Sequence, residues 1–235
     1  MGSSRLPGKV LQKIGQQTSL ERLFERLKKC RYLDDFVLAT STSKQDDILE
    51  TFAQERGIPC FRGSELDVLK RVVEAHQQMN SDLIVEVTGD CPLLDPEIID
   101  QGVETFLNND CDVVTNCRIP SYPQGIDVQV FRFEDLRKVE SSILEPAVRE
   151  HVSLFFYENP TKYRIIHLLA PPHLQHADLR LQLDYPEDLK LIREIYKRLE
   201  PVYGSCFGLS KIVNLLKQEP SLRKINSDCR EKSLR

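Results

Sequence analysis

Leu20, Leu23, Phe24 and Leu27 recur at i, i+3, i+4 and i+7, a spacing that predicts a helix laid on a sheet. Thr18 stands ahead of it with Glu21 three residues on, the pairing of a capping box. The pattern then alternates. An apolar run over 36–39 reads as a strand, 45–56 as a helix stopped by Gly57, 58–61 as a strand and 66–79 as a helix. The clearest buried strand is 83–87. Asp95 and Pro96 then open a helix as N-cap and first residue, carrying Ile98, Ile99, Val103 and Phe106 on one face, before a strand at 113–115. Such alternation predicts an α/β fold with a doubly wound, mostly parallel, Rossmann-like sheet. Ligands of such sheets bind beyond the C-terminal strand ends.

The second half is looser. Residues 126–130 alternate strictly, which predicts a strand with one buried face, a small one-sided β extension. Helices are expected at 133–141 and 146–157, and a strand at 163–169. Leu179, Leu181 and Leu183 alternate again. Pro186 starts a helix carrying Leu189, Ile192, Tyr196 and Leu199, and a last helix covers 209–217. One domain over 1–217 is expected, followed by a polar tail at 218–235 that frays.

The 235 residues contain no apolar run long enough to span a bilayer and no signal-peptide core, so no membrane partner is expected. A net charge of −4 argues against general nucleic-acid binding. Seven cysteines, odd in number and without a C-x-x-C pair, read as reduced thiols of a cytoplasmic protein.

Polar chemistry concentrates at predicted strand ends and at the start of the chain. Residues 1–9, M-G-S-S-R-L-P-G-K, hold little for a core but much for a polyphosphate. Gly2 and Gly8 permit close backbone approach, Arg5 offers a planar fork and Lys9 a mobile charge. A solvated tail is the competing reading. The spacing is not that of a Walker A loop. Asp90, ending the 83–87 strand in T-G-D-C-P, can hold a magnesium ion or a ribose hydroxyl, or only shape the turn. Asp184, in L-D-Y-P-E-D, can be a metal ligand or an ordinary helix-start residue.

The G-S-S-R-L-P-G-K stretch resembles the nucleotide-binding signature of the sugar-acid cytidylyltransferases, which activate 3-deoxy-manno-octulosonate and acylneuraminates. Within that family the chain is most similar to the spore coat polysaccharide branch. The resemblance runs from residue 2 to about 216. It implies that Gly2, Ser3, Ser4, Arg5 and Lys9 wrap the triphosphate of CTP, and that Asp90 and Asp184 bind Mg2+. The segment D-x-P-E-D-L keeps the family pattern with Tyr185 in place of threonine. R-G-S-x-x-D-V-L at Arg62, Ser64 and Asp67 resembles the segment that holds base and ribose. Y-P-x-G-x-D at Tyr122, Gln124 and Asp127, with R-E-H-V at Arg149, Glu150 and His151, resembles segments lining a sugar-acid pocket, Arg149 being suited to a carboxylate.

The resemblance therefore implies an Mg2+-dependent nucleotidyltransferase, forming a CMP-sugar and pyrophosphate from CTP and a sugar acid, and a homodimer. A glycosyltransferase of related fold is one alternative; its D-x-D would have to follow an apolar strand, whereas Asp110 and Asp112 precede theirs. A non-catalytic relative is another. Relatives carry an apolar strand ending in arginine directly before the loop, and here the loop opens the chain. Met1 is accordingly expected to be an internal methionine of a longer natural protein. Two unpaired strand edges are expected mid-sheet, with poor folding or weak CTP binding.

Overall fold

The computed structural model describes residues 1–230. A short hairpin, β1 (Lys13–Ile14) and β2 (Gln17–Thr18), leads into α1 (Ser19–Leu27). Then follow β3 (Leu38–Ser41), α2 (Asp47–Glu55), β4 (Cys60–Gly63), α3 (Val68–Met79), β5 (Leu83–Glu86), α4 (Pro96–Leu107) and β6 (Val113–Thr115). The second half holds β7 (Gln129–Arg132), α5 (Phe133–Ser142), α6 (Pro146–Glu150), α7 (Leu154–Glu158), β8 (Ile165–His167), α8 (Pro186–Tyr203), α9 (Leu209–Gln218) and α10 (Pro220–Arg223). Local signals act where the sequence put them. The Thr18 hydroxyl accepts from the Glu21 N–H at 3.2 Å while Glu21 accepts from the Thr18 N–H at 2.5 Å. Asp95 caps α4, accepting from the Glu97 N–H at 3.0 Å.

The fold is α/β as expected, with a mixed sheet in which β7 alone runs against its neighbours. β3 and β4 form a separate parallel pair, and the larger sheet has the order β5-β7-β6-β8. In it β7 runs antiparallel to both β5 and β6, while β6 and β8 are parallel. Residues 116–128 contain no helix, so the chain re-enters beside β6 without the crossover that a parallel neighbour needs. The 126–130 stretch is thus no edge extension. Val130 lies between Val85 and Val114, and the polar face is covered where the Ser153 hydroxyl donates to Gln129 at 2.6 Å.

Helices cover both faces. Val114, Val128 and Val130 pack with residues of α1, α4 and α8, whereas Ile84, Val113 and Phe131 pack with α3, α5, α6 and α7. Three further expectations shift. The 146–157 helix breaks in two around His151. The leucines 179, 181 and 183 are buried in an extended segment that makes one isolated bridge, Arg180 to Gln124, rather than a ladder. Beyond 218 the described chain does not fray: Leu222 is buried, and the buried Asn226 amide donates to the Asp188 carboxylate at 2.7 Å. Residues 231–235 of the expected tail lie outside the described residues.

Among the described residues β3 pairs only with β4 and β5 only with β7, which leaves one edge of each unpaired. A groove of about 940 Å³ runs along both strands, lined by Leu23 and Phe24 of α1, Leu38, Val72, Val85 and Phe106. No helix among the described residues is long and apolar enough to cross a membrane.

Candidate active site

The first nine residues fold back as a compact loop. The Gly8 N–H donates to the Met1 carbonyl at 3.2 Å, and Gly8 adopts φ 66°, a left-handed value suited to glycine. The Leu6 N–H donates to the Ser3 hydroxyl at 3.3 Å, and the Met1 ammonium to Asp46 at 2.7 Å. A side chain at Gly2 would press on Gln45 at 3.0 Å. Gly2 and Ser4 stay exposed. The loop turns Arg5 and Lys9 toward Asp90 and Asp184.

There the two carboxylates converge. Lys9 Nζ donates to Asp90 Oδ2 at 2.5 Å and to Asp184 Oδ1 at 2.6 Å. Arg5 pairs with Asp184 Oδ2 at 3.1 Å and lies over the Tyr185 ring at 5.0 Å. Asp90 arrives in the turn after β5, and Asp184 at the end of the extended segment before α8. The two meet because the Leu183 N–H donates to the Asp90 carbonyl at 2.8 Å. Burial pulls the Lys9 pKa down, but the Asp90 charge and hydrogen bonds to both carboxylates outweigh it, and the net shift is upward. Burial pushes Asp184 up, yet the Lys9 hydrogen bond and charge, with Arg5, hold it below the usual carboxylate value.

Arg180, Asp188, Gln182 and Asn226 complete the site, and sequence reasoning passed over all four. The buried Arg180 guanidinium donates to Asp188 at 3.1 Å and to Asp184 Oδ2 at 2.8 Å. Period-two alternation could have found two of them, because Arg180, Gln182 and Asp184 share one side of the extended segment.

The other expected site residues are not gathered there as free groups. Arg62 donates to the Ser41 and Ser43 carbonyls at 2.9 Å each and pairs with Asp47 and Glu50. The Ser64 hydroxyl accepts from the Asp67 N–H at 3.0 Å, and Asp67 caps α3. Arg149 and Asp67, expected in separate pockets, pair with each other at 2.5 Å, and Glu140 takes the same guanidinium at 2.9 Å. Tyr122 is buried in the core. Asp127 lies close enough to Cys91 and Cys117 to raise both thiols, alongside the larger effect of burial. Glu150 is exposed and His151 half-buried at the break after α6. Asp110 and Asp112 both engage Arg164, at the start of β6 and away from the carboxylate pair.

One cation fits between the carboxylates: an oxygen of each reaches a single point, now taken by Lys9 Nζ. Among the described residues no group of three or more His, Cys, Asp or Glu could hold a metal alone. Magnesium, however, is commonly bound through one or two carboxylates plus substrate phosphates and water. The buried Arg5 Nε has no hydrogen-bond partner, which suits an incoming anion.

Residues 1–217 match the family model described as Cytidylyltransferase. The chain is 32% identical to the spore coat polysaccharide biosynthesis protein SpsF of Bacillus subtilis, covering 94% of this chain and 92% of that one. It superposes on the structure of a cytidylyltransferase from Leptospira borgpetersenii with a TM-score of 0.89 and 30% identity, covering 99% and 95% of the two chains. The CMP:2-keto-3-deoxy-manno-octonic acid synthetase solved with CTP shares the fold, at a TM-score of 0.61 and 18% identity over 84% of this chain and 95% of that one.

Proposed function

The chain belongs to the cytidylyltransferase family, and on that premise we propose that it transfers CMP from CTP to the hydroxyl of a sugar acid. The acceptor hydroxyl oxygen gives up its proton and bonds to the α-phosphorus, while the bond between the α-phosphorus and the α,β-bridging oxygen breaks and pyrophosphate leaves with that oxygen. The observation that carries this reading is the convergence of Asp90 and Asp184 beneath a loop bearing Arg5 and Lys9.

The protein's part is positioning and charge neutralisation. The loop from Gly2 to Lys9, with Ser3 and Ser4, cradles the triphosphate. Arg5 and Lys9 neutralise the departing pyrophosphate, and the unpartnered Arg5 Nε gains an acceptor. Asp90 and Asp184 would hold Mg2+, which as a Lewis acid polarises the α-phosphate. Arg62, Ser64 and Asp67 belong to the base and ribose side, and Tyr122, Asp127, Glu150 and His151 to the acceptor side. Arg149, neutralised by Asp67 and Glu140, supports the base and ribose side through Asp67 and not the acceptor carboxylate.

Likeness to SpsF supports a role in surface polysaccharide synthesis. The seven cysteines are free thiols, which fits a reducing, cytoplasmic setting. The homodimer of this reading must use a surface other than the central β7; light scattering at micromolar concentration tests it. The decisive assay is pyrophosphate release over four nucleotides and a panel of sugar acids with Mg2+. Release specific to CTP and one acid is expected; none from CTP with any acid overturns the reading.

A further inference from the structure

Two glutamines close a ring behind the carboxylates. Arg180 Nη1 donates to Gln124 Oε1 at 2.8 Å, Gln124 Nε2 to Gln182 Oε1 at 3.2 Å, and Gln182 Nε2 to Asp90 Oδ2 at 3.1 Å. On the other side Arg180 Nη2 reaches Asp184 Oδ2, and Lys9 joins Asp184 to Asp90. The ring runs Arg180, Gln124, Gln182, Asp90, Lys9, Asp184 and back. Every donor in it points toward a carboxylate or toward an amide whose own donor carries the chain on toward Asp90. Neither amide can turn over without facing like against like at both ends.

The backbone is built to place Gln124. Its N–H donates to the Leu179 carbonyl at 3.0 Å and its carbonyl accepts from the Leu181 N–H at 2.8 Å. Gly125 follows at φ 91°, and a Cβ there would lie 2.5 Å from the Gln182 nitrogen. Only glycine lets this turn lie on the segment leading to Asp184. Arg180 is anchored from behind by both oxygens of Asp188, which also accepts the Asn226 amide and the Asp184 and Tyr185 N–H groups.

We propose that Gln124, Gln182 and Arg180 are positioning residues that set the orientations of Asp90 and Asp184 as one unit. The inference rests on the reading of these carboxylates as the cation and triphosphate site, and it assigns Gln124 to them instead of to an acceptor pocket. Loosening either glutamine cuts the branch that links Asp90 through Arg180 to Asp184 and leaves only Lys9 between them, so the two glutamines act as one connection.

The test uses Gln124→Leu, Gln182→Leu and the double variant, which remove the amides at similar volume. Mn2+ binding in the presence of CTP is measured by electron paramagnetic resonance, with thermal unfolding alongside. Each single variant is expected to bind Mn2+ about 10-fold more weakly, the lower range for a group supporting a metal ligand. The double variant is expected to lose no more than the weaker single. Should Gln182→Leu fail to fold, Gln182→Asn, which keeps the amide but cannot span the gap, carries the same expectation. Wild-type Mn2+ affinity in either single variant, or losses that add in the double, overturns the relay. A wild-type chain that binds no Mn2+ with CTP instead removes the cation reading. The relay is then decided by unfolding, where additive destabilisation of the two glutamine variants refutes it and coupling supports it.

Discussion

The Lys9 ammonium holds the Asp184 carboxylate at 2.6 Å although 175 positions separate them in the chain. The same nitrogen lies 2.5 Å from Asp90, so a lysine occupies the point where the two carboxylates would share a divalent cation. On the proposed reading lysine and metal would compete for one place, and the lysine would move toward phosphate when both are bound.

Replacing Lys9 with alanine should weaken CTP about 10- to 100-fold, the range for one hydrogen bond to a charged group. CMP, lacking the β- and γ-phosphates, should be much less affected. Mn2+ binding without nucleotide should tighten, because the carboxylates lose their resident cation. Calorimetric titrations check all three, and equal weakening of CTP and CMP would mean that Lys9 does not serve the pyrophosphate end.

Asp90→Asn and Asp184→Asn should each reduce turnover at least about 100-fold at saturating Mg2+. They should differ in stability. Asp184 is paired with the buried Arg180, and although Asp188 still neutralises that guanidinium, the lost charge-assisted hydrogen bond should cost about 1.5–3 kcal/mol. Asp90→Asn keeps an acceptor for Gln182 and should unfold near the wild-type temperature. Near-normal turnover in either variant takes that residue out of the site.

Glu86 should make stability fall as pH rises. Burial pushes its carboxyl up to about 7, and the folded chain therefore keeps a proton that the unfolded chain, near 4.5, has released. Between those values stability declines with rising pH, and above the upper one the loss is complete. Glu86→Gln should flatten the profile and be more stable than wild type at pH 8, by about 1–3 kcal/mol. Unfolding melts from pH 4.5 to 8.5 check the sign; a parallel profile in the variant refutes it.

The groove between β3 and β5 should accept one more strand. Fusing five apolar residues and an arginine ahead of Met1 is expected to raise the melting temperature by at least about 10 °C, through burial against Leu38, Val85 and Phe106. CTP affinity should rise with it. A fused chain no more stable and no tighter for CTP refutes the expectation.

The sequence by itself determined what depends on near neighbours. Thr18 and Glu21 are three residues apart, so their capping box forms wherever that helix starts. Asp95 before Pro96 has no better place than a helix start. Asp90 and Asp184 were legible because each ends an apolar run in a turn motif, and motif resemblance paired them. What the tertiary structure decided was which distant group answers each charge. Arg149 reads as free for a carboxylate until Asp67, 82 positions away, neutralises it. Gln124 reads as a pocket residue until Gln182, 58 positions on, accepts its amide N–H and donates its own to Asp90. The direction of β7 was equally hidden, since a strand's alternation reports its buried face and not its neighbour's direction. Hydrogen bonds and ion pairs between side chains are set by position in space, and hydrophobic period carries no record of them.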